Sequence, residues 1–267
     1  IHSETKGTAI GVEIRAQAFA FSTNDEINNM TFYTYEIINR STFRLTNTYF
    51  SQWVDTDLGY ANDDYVGCDV ERGLGYCYNG SAIDGLGKPE HYGVQPPAVG
   101  VDFFQGPYMD PDNKDNPKYD PNGVQYCDES INGVNFGDSI KDNERFGMRR
   151  FVYHNNPPFG TSATQDPQLA PEYYQMLKGI WKDGTKMTYG DDAYNTGGPV
   201  CDFMFPAKTD PCNWGTGGVD PNFPGSIGWT EETSNNAPGD RRFMQSAGEF
   251  TLESGAINYI TVGIPFA

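Results

Sequence analysis

The chain has 267 residues, with 36 acidic against 18 basic side chains and a net charge of −18 at neutral pH. So acidic a surface does not suit nucleic-acid phosphates or an anionic bilayer; it suits a protein that holds divalent cations or works in salt. No run approaches the roughly 20 apolar residues that span a bilayer, and 31 glycines and 18 prolines beside 17 tyrosines and 17 phenylalanines favour strands joined by long loops.

Residues 10–21, IGVEIRAQAFAF, alternate. Val12, Ile14, Ala16, Ala18 and Ala20 share one face, and Glu13, Arg15 and Gln17 the other, which is the pattern of a half-buried strand. Asn24-Asp25 and Asn28-Asn29 mark the turn after it. Residues 31–39 and 42–54 read as two more strands, so the first 55 residues form a β-meander.

That meander feeds Trp53-Val54-Asp55-Thr56-Asp57-Leu58-Gly59-Tyr60, followed by Asp63-Asp64 and Asp69. Clustered carboxylates repel unless something neutralises them. Calcium takes six to eight oxygens from carboxylates and backbone carbonyls, and glycine lets the backbone turn its carbonyls inward. Asp55, Asp57 and Gly59 match the first, third and fifth positions of an EF-hand loop. Tyr60 and Val66 stand where that loop needs glycine and glutamate, and no helices flank it. The expectation is therefore a β-loop calcium site: Asp55, Asp57 and Asp63 or Asp64 as carboxylate ligands, a carbonyl from Gly59 or Tyr60, and Asp69 closing the shell. The alternative is an acidic solvated turn, since Asp, Asn and Gly are ordinary turn residues.

Residues 73–80 and 96–107 read as further strands, the second bracketed by prolines. Residues 108–144 form an acidic insertion with little apolar content, expected to be disordered without ligands. Asp110, Asp112 and Asp115 within it are a second candidate calcium set. Arginines then sit beside aromatics, at Arg149-Arg150-Phe151 and again at Asp240-Arg241-Arg242-Phe243. These mark either an anion or sugar-acid site or structural ion pairs.

Residues 170–184, APEYYQMLKGIWKDG, carry a helical pattern, with Pro171 in the first turn and Gly184 at the end. Glycine-rich loops follow, including 195–199 and 214–218, and neither has the spacing of a phosphate loop. Residues 248–267 alternate again around a turn at 253–256, reading as a terminal hairpin.

Five cysteines, at 68, 77, 127, 201 and 212, lack zinc-site spacing. Cys68–Cys77 and Cys201–Cys212 are the local bridges an exported protein would form, though spacing alone does not fix the pairing. With three histidines, His2, His91 and His154, and no G-x-S-x-G, no catalytic set emerges. Carboxylate pairs leave a secreted glycan or peptide hydrolase as the least favoured reading. Trp53, Trp181, Trp214 and Trp229 are either sugar-stacking platforms or core.

Several segments taken together carry a resemblance. They are Asp55-Thr56-Asp57-Leu58-Gly59, Asp63-Asp64-Tyr65-Val66-Gly67-Cys68-Asp69, Gly75-Tyr76-Cys77-Tyr78-Asn79 and Pro96-Pro97-Ala98-Val99-Gly100. Further on come Asp142-Asn143-Glu144-Arg145-Phe146-Gly147-Met148-Arg149-Arg150-Phe151, Gly179-Ile180-Trp181-Lys182-Asp183-Gly184, Pro238-Gly239-Asp240-Arg241-Arg242-Phe243 and Gln245-Ser246-Ala247-Gly248. As a set, spanning most of the chain, they resemble a module of large exported Bacteroidetes proteins that carry a C-terminal sorting domain for type IX secretion. The resemblance implies export, a cell-surface or released location and a place in a longer polypeptide. It implies no activity.

The expected protein is a single mainly β domain over residues 1–267, an antiparallel sandwich with long Gly/Asp/Pro-rich loops and one short helix. Beginning at Ile1 and ending directly after an apolar strand pattern, it reads as a piece of a longer chain. Its expected role is a secreted, calcium-stabilised structural or adhesive module. Its partners would be other extracellular modules or surface glycans, with self-assembly also open, and neither nucleic acid nor membrane insertion. A carbohydrate-binding module is the alternative.

Overall fold

A computed structural model of the chain describes residues 4–212 and 228–267. Eleven strands run in chain order: β1 Val12–Ala20, β2 Met30–Asn39, β3 Leu45–Asp55, β4 Asp64–Asp69, β5 Leu74–Asn79, β6 Ile83–Asp84, β7 Gly93–Val94, β8 Ala98–Gln105, β9 Arg150–Asn155, β10 Arg241–Leu252 and β11 Ile257–Pro265. The helix α1, Ala170–Met176, lies between β9 and β10. Six strands form a large antiparallel sheet in the order β1-β2-β11-β8-β5-β4, three form a small one in the order β3-β10-β9, and β6-β7 is a short ribbon. The mainly β, sandwich-like fold with one short helix expected from alternation is the fold observed.

The alternating faces explain the packing. The large sheet turns Tyr35, Ile37, Val101 and Phe103 toward the small sheet, and the small sheet turns Phe50, Phe151 and Phe243 back. Phe50 meets the Phe103 ring edge-on at 6.0 Å and Tyr35 at 5.3 Å, and Phe151 and Phe243 lie 4.9 Å apart. Gly75 is required at the closest approach, where a Cβ would stand 2.4 Å from Gln245 Oε1 and 2.8 Å from the Phe151 ring.

The connections differ from the expected meander. β1 and β2 pair as a hairpin, but β3 crosses to the small sheet and pairs with β10. The terminal strands likewise do not form a hairpin with each other. β10 joins β3 and β9, whereas β11 joins β2 and β8. Alternation says which face of a strand is apolar but not which neighbour it takes, and here each apolar face is buried by crossing between layers.

The helix stops at Met176, well short of residue 184. So short a segment has little stability of its own. Gly179, at φ +69°, turns the chain, and Trp181 returns as a buried side chain whose indole donates to the Ala193 carbonyl at 3.0 Å. The helical spacing of 177–181 therefore reflects burial of Trp181 in an irregular layer on the outer side of the small sheet.

The disulfide is Cys127–Cys212, neither of the local pairs. In the β4/β5 register Cys68 stands opposite Gly75 and Cys77 opposite Val66, so the two thiols are offset rather than facing, and both are buried. Cys212 reaches instead into the acidic insertion. That insertion follows a defined course, because its carboxylates serve its own backbone. Asp142 accepts from the Asp112 and Asn113 amides at 2.7 and 2.8 Å, Asp120 from Asn122 and Val124 at 2.8 Å each, and Glu144 from the Asn116 amide.

The sheet edges are treated unequally. Along and just after β4 outward amides are occupied: Val66 by Glu231 at 2.7 Å, Cys68 by the Phe205 carbonyl at 3.2 Å, and Val70 by Thr209 at 2.9 Å. β3 is the opposite case. Among the described residues β10 is its only strand partner, and a groove of about 630 Å³ runs beside residues 50–56 over Tyr33, Tyr35, Val101 and Ile264.

Candidate functional site

The small sheet ends in a charged row. Register places Asp55 of β3 directly opposite Arg242 of β10, and Arg242 directly opposite His154 of β9. Cross-strand partners share one face of a sheet, so three polar side chains lie side by side. Arg242 donates from Nε to Asp55 at 2.8 Å and lies 3.3 Å from Asp240 and 3.9 Å from Asp166. His154 is fully buried, with its Nδ1 2.7 Å from Asp166 and the Trp53 ring 4.5 Å away. Burial lowers the His154 pKa and favours the neutral imidazole, against the pull of Asp166, which favours the charged form.

After β3 the chain must reverse sharply. Asp57 sits at φ +40° and Gly59 at φ +66°. A Cβ on Gly59 would fall 2.1 Å from Asp84, so glycine is needed there both for its φ and for space. Leu58, buried, pins the turn, and its amide donates to Asp64 at 3.1 Å. Asp84 accepts from the Tyr60 amide at 2.8 Å and Asp63 from the Gly85 amide at 2.8 Å.

This turn brings Asp55 and Asp57 to Asp240, so that one oxygen of each lies within 4.8 Å of the others. Among the described residues it is the one set of three or more acidic, histidine or cysteine groups that converges so closely. The Asp57 pKa is raised, first by burial and then by the charges of Asp55 and Asp240. One Asp240 oxygen, Oδ2, takes the Asn156 amide at 2.6 Å, and the other, Oδ1, is buried with no hydrogen-bond partner.

Of the expected ligands, then, Asp55 and Asp57 come together, with Gly59 shaping the turn. Asp63 and Asp64 spend one oxygen each on backbone amides, and their other oxygens are buried without partners. Asp69 pairs with Arg72 and accepts its amide at 3.1 Å. Asp110 takes the Thr251 amide at 2.6 Å, Asp112 that of Lys114 at 2.9 Å, and Asp115 those of Gly137, Asp138 and Ser139 at 2.8, 3.2 and 2.7 Å. These last three do not converge on one point. Asp240 went unnoticed as a ligand because its partners lie far away in sequence; the only local sign was the arginine pair after it.

Asp240 also lines a cleft of about 450 Å³, with Asp192 in its wall. Burial raises the Asp192 pKa. The neighbouring Arg241 turns inward to Glu231, 2.9 Å away, and both are buried. Arg150 likewise lies 3.3 Å from Asp202, so Arg150, Arg241 and Arg242 serve ion pairs, and Arg242 touches the acid triad.

The tryptophans divide. Trp181 and Trp229 are core residues, while Trp53 is 41% exposed at the rim of the β3 groove. Trp214 and the 214–218 glycine cluster fall outside the described residues.

No family model, no curated protein and no solved structure matches this chain. Function therefore rests on the chemistry of these residues.

Proposed function

We propose that this chain is an exported structural or adhesive module whose β3–β4 turn is held by calcium. The observation that carries the reading is the convergence of Asp55, Asp57 and Asp240 within 4.8 Å, with Asp240 Oδ1 buried and lacking a donor. Arg242 offsets one of the three negative charges and leaves acceptor oxygens for a hard cation, which takes carboxylate and carbonyl oxygens in flexible geometry. Joining the end of β3, the β3–β4 turn and the residue before β10, such an ion would pin that turn to the end of the small sheet.

Export is supported by the Cys127–Cys212 disulfide, since disulfides persist in oxidising compartments. No helix among the described residues is long and apolar enough to cross a membrane. The adhesive part of the reading is supported by the unpaired β3 edge above its aromatic groove, a geometry in which an extended segment of another extracellular module could add as a fourth strand.

The test is thermal unfolding in excess calcium and in chelator. A ligand bound only to the native state at 100 times its Kd adds about 2.7 kcal/mol, which for a domain of this size raises Tm by roughly 5 °C or more. Equal melting temperatures in the two conditions would remove calcium from the reading and leave Arg242 alone to neutralise the acids.

A further inference from the structure

The cleft beside Asp240 carries chemistry that a purely structural role does not use. Its polar lining includes Asn62, Asn155, Asn156 and Asn236 together with Asp192, Asp240 and Arg241. We propose that it binds a neutral oligosaccharide. The proposal goes beyond the structural reading and shares with the calcium turn Asp240 and Asn62, which lies in the β3–β4 turn.

Charge sets the ligand class. The one cation in the wall, Arg241, is already matched by Glu231, whose two oxygens take its Nε at 3.0 and 3.1 Å. That pairing leaves no unbalanced positive charge for an anion, and two carboxylates repel one. A strongly cationic ligand is also poorly served. Asp240 Oδ2 is taken by Asn156 at 2.6 Å and lies 3.3 Å from Arg242. A neutral, hydroxyl-rich ligand remains.

The hydrogen-bonding groups suit such a ligand. A sugar hydroxyl donates one hydrogen and accepts others, so it pairs with a carboxylate or amide oxygen and an amide N–H set side by side. The cleft is lined by four amides and two carboxylates in that mixture. Several are fixed in advance: Asn156 on Asp240, and Asn155 between the Tyr153 hydroxyl at 2.8 Å and Thr164 at 3.0 Å. Side chains ordered before binding lose little entropy on binding.

An apolar surface completes the site. Phe159 is 70% exposed and lines the same cleft, with Pro238 and Ala237 nearby. An exposed ring beside convergent polar groups is what the C–H face of a pyranose requires.

The experiment is a printed array of neutral oligosaccharides, acidic oligosaccharides and basic peptides, probed with the folded protein in calcium and again in chelator. Retention on at least one neutral oligosaccharide is expected. Phe159→Ala, at an exposed position, should weaken it at least tenfold without moving Tm, and Asn156→Ala should weaken it comparably. Trp53→Ala, in the separate β3 groove, should leave it unchanged. The proposal is overturned if no neutral oligosaccharide is retained in either condition, if acidic sugars or basic peptides are preferred, or if binding survives Phe159→Ala and is lost in Trp53→Ala. A calcium-dependent Tm with no retention would overturn the sugar site and leave the calcium reading standing.

Discussion

Arg242 stands directly opposite Asp55 in the strand register and donates to it from Nε at 2.8 Å. It is the cation that lets Asp55, Asp57 and Asp240 lie together without a metal. Arg242→Gln should therefore lower the chelator-state Tm by a few degrees and enlarge the shift on adding calcium, because an ion would then replace a lost charge instead of competing with it. Differential scanning fluorimetry on both proteins reads both quantities. A Tm lowered equally with and without calcium would assign Arg242 a packing role only.

Acid titration should expose Asp64. Burial, with the charges of Asp63 and Asp84 adding to it, pushes the Asp64 carboxyl up to about 7, and burial beside Asp69 pushes Asp102 to about 6. The folded protein thus binds more protons than the unfolded chain between about pH 4 and 7, so this part of its stability falls as pH rises through that window. His154 acts in the opposite sense, since burial lowers its pKa and stability falls as pH drops below about 6.5. In chelator, Asp64→Asn should be more stable than the parent at pH 8 by about 2–4 kcal/mol, and the gain should vanish near pH 4. A gain independent of pH would contradict this assignment.

Gly59→Ala should destabilise the turn by roughly 2 kcal/mol or more, since a methyl there meets Asp84 at 2.1 Å from a backbone at φ +66°. Urea denaturation measures it. Gly87→Ala is the comparison, because its Cβ meets nothing within 4 Å and only its φ of +73° is strained.

The Cys127–Cys212 bridge spans a sequence separation of 85. A loop of that length contributes about 4.6 kcal/mol in the chain-entropy account. The double variant Cys127→Ser/Cys212→Ser should therefore melt roughly 9–18 °C lower. Cys68 and Cys77, whose thiol pKa values are raised by burial, should resist alkylation in the native protein and react only on unfolding.

Much of the fold was legible because apolar alternation is a local property. The strands at residues 10–21, 31–39 and 42–54 appear as Val12–Ala20, Met30–Asn39 and Leu45–Asp55. Their partners were not legible, since β3 pairs with β10 and β2 with β11 across most of the chain. The same division holds at the site. Asp55-x-Asp57-x-Gly59 announces a turn able to point oxygens inward, but Asp240 arrives only through the β3–β10 pairing. Asp110, Asp112 and Asp115 share the acidic spacing, yet they are drawn to separate backbone amides. A run of acids shows that acceptors are plentiful and leaves open whether amides or an ion will satisfy them.

The most direct measurement is isothermal titration of calcium into the metal-free protein and into Asp240→Asn. Saturable binding by the parent, weakened at least tenfold by Asp240→Asn while the variant remains folded, is the expected result. Undetectable heat with the parent, or equal affinity in the two proteins, would contradict a calcium site built from Asp55, Asp57 and Asp240.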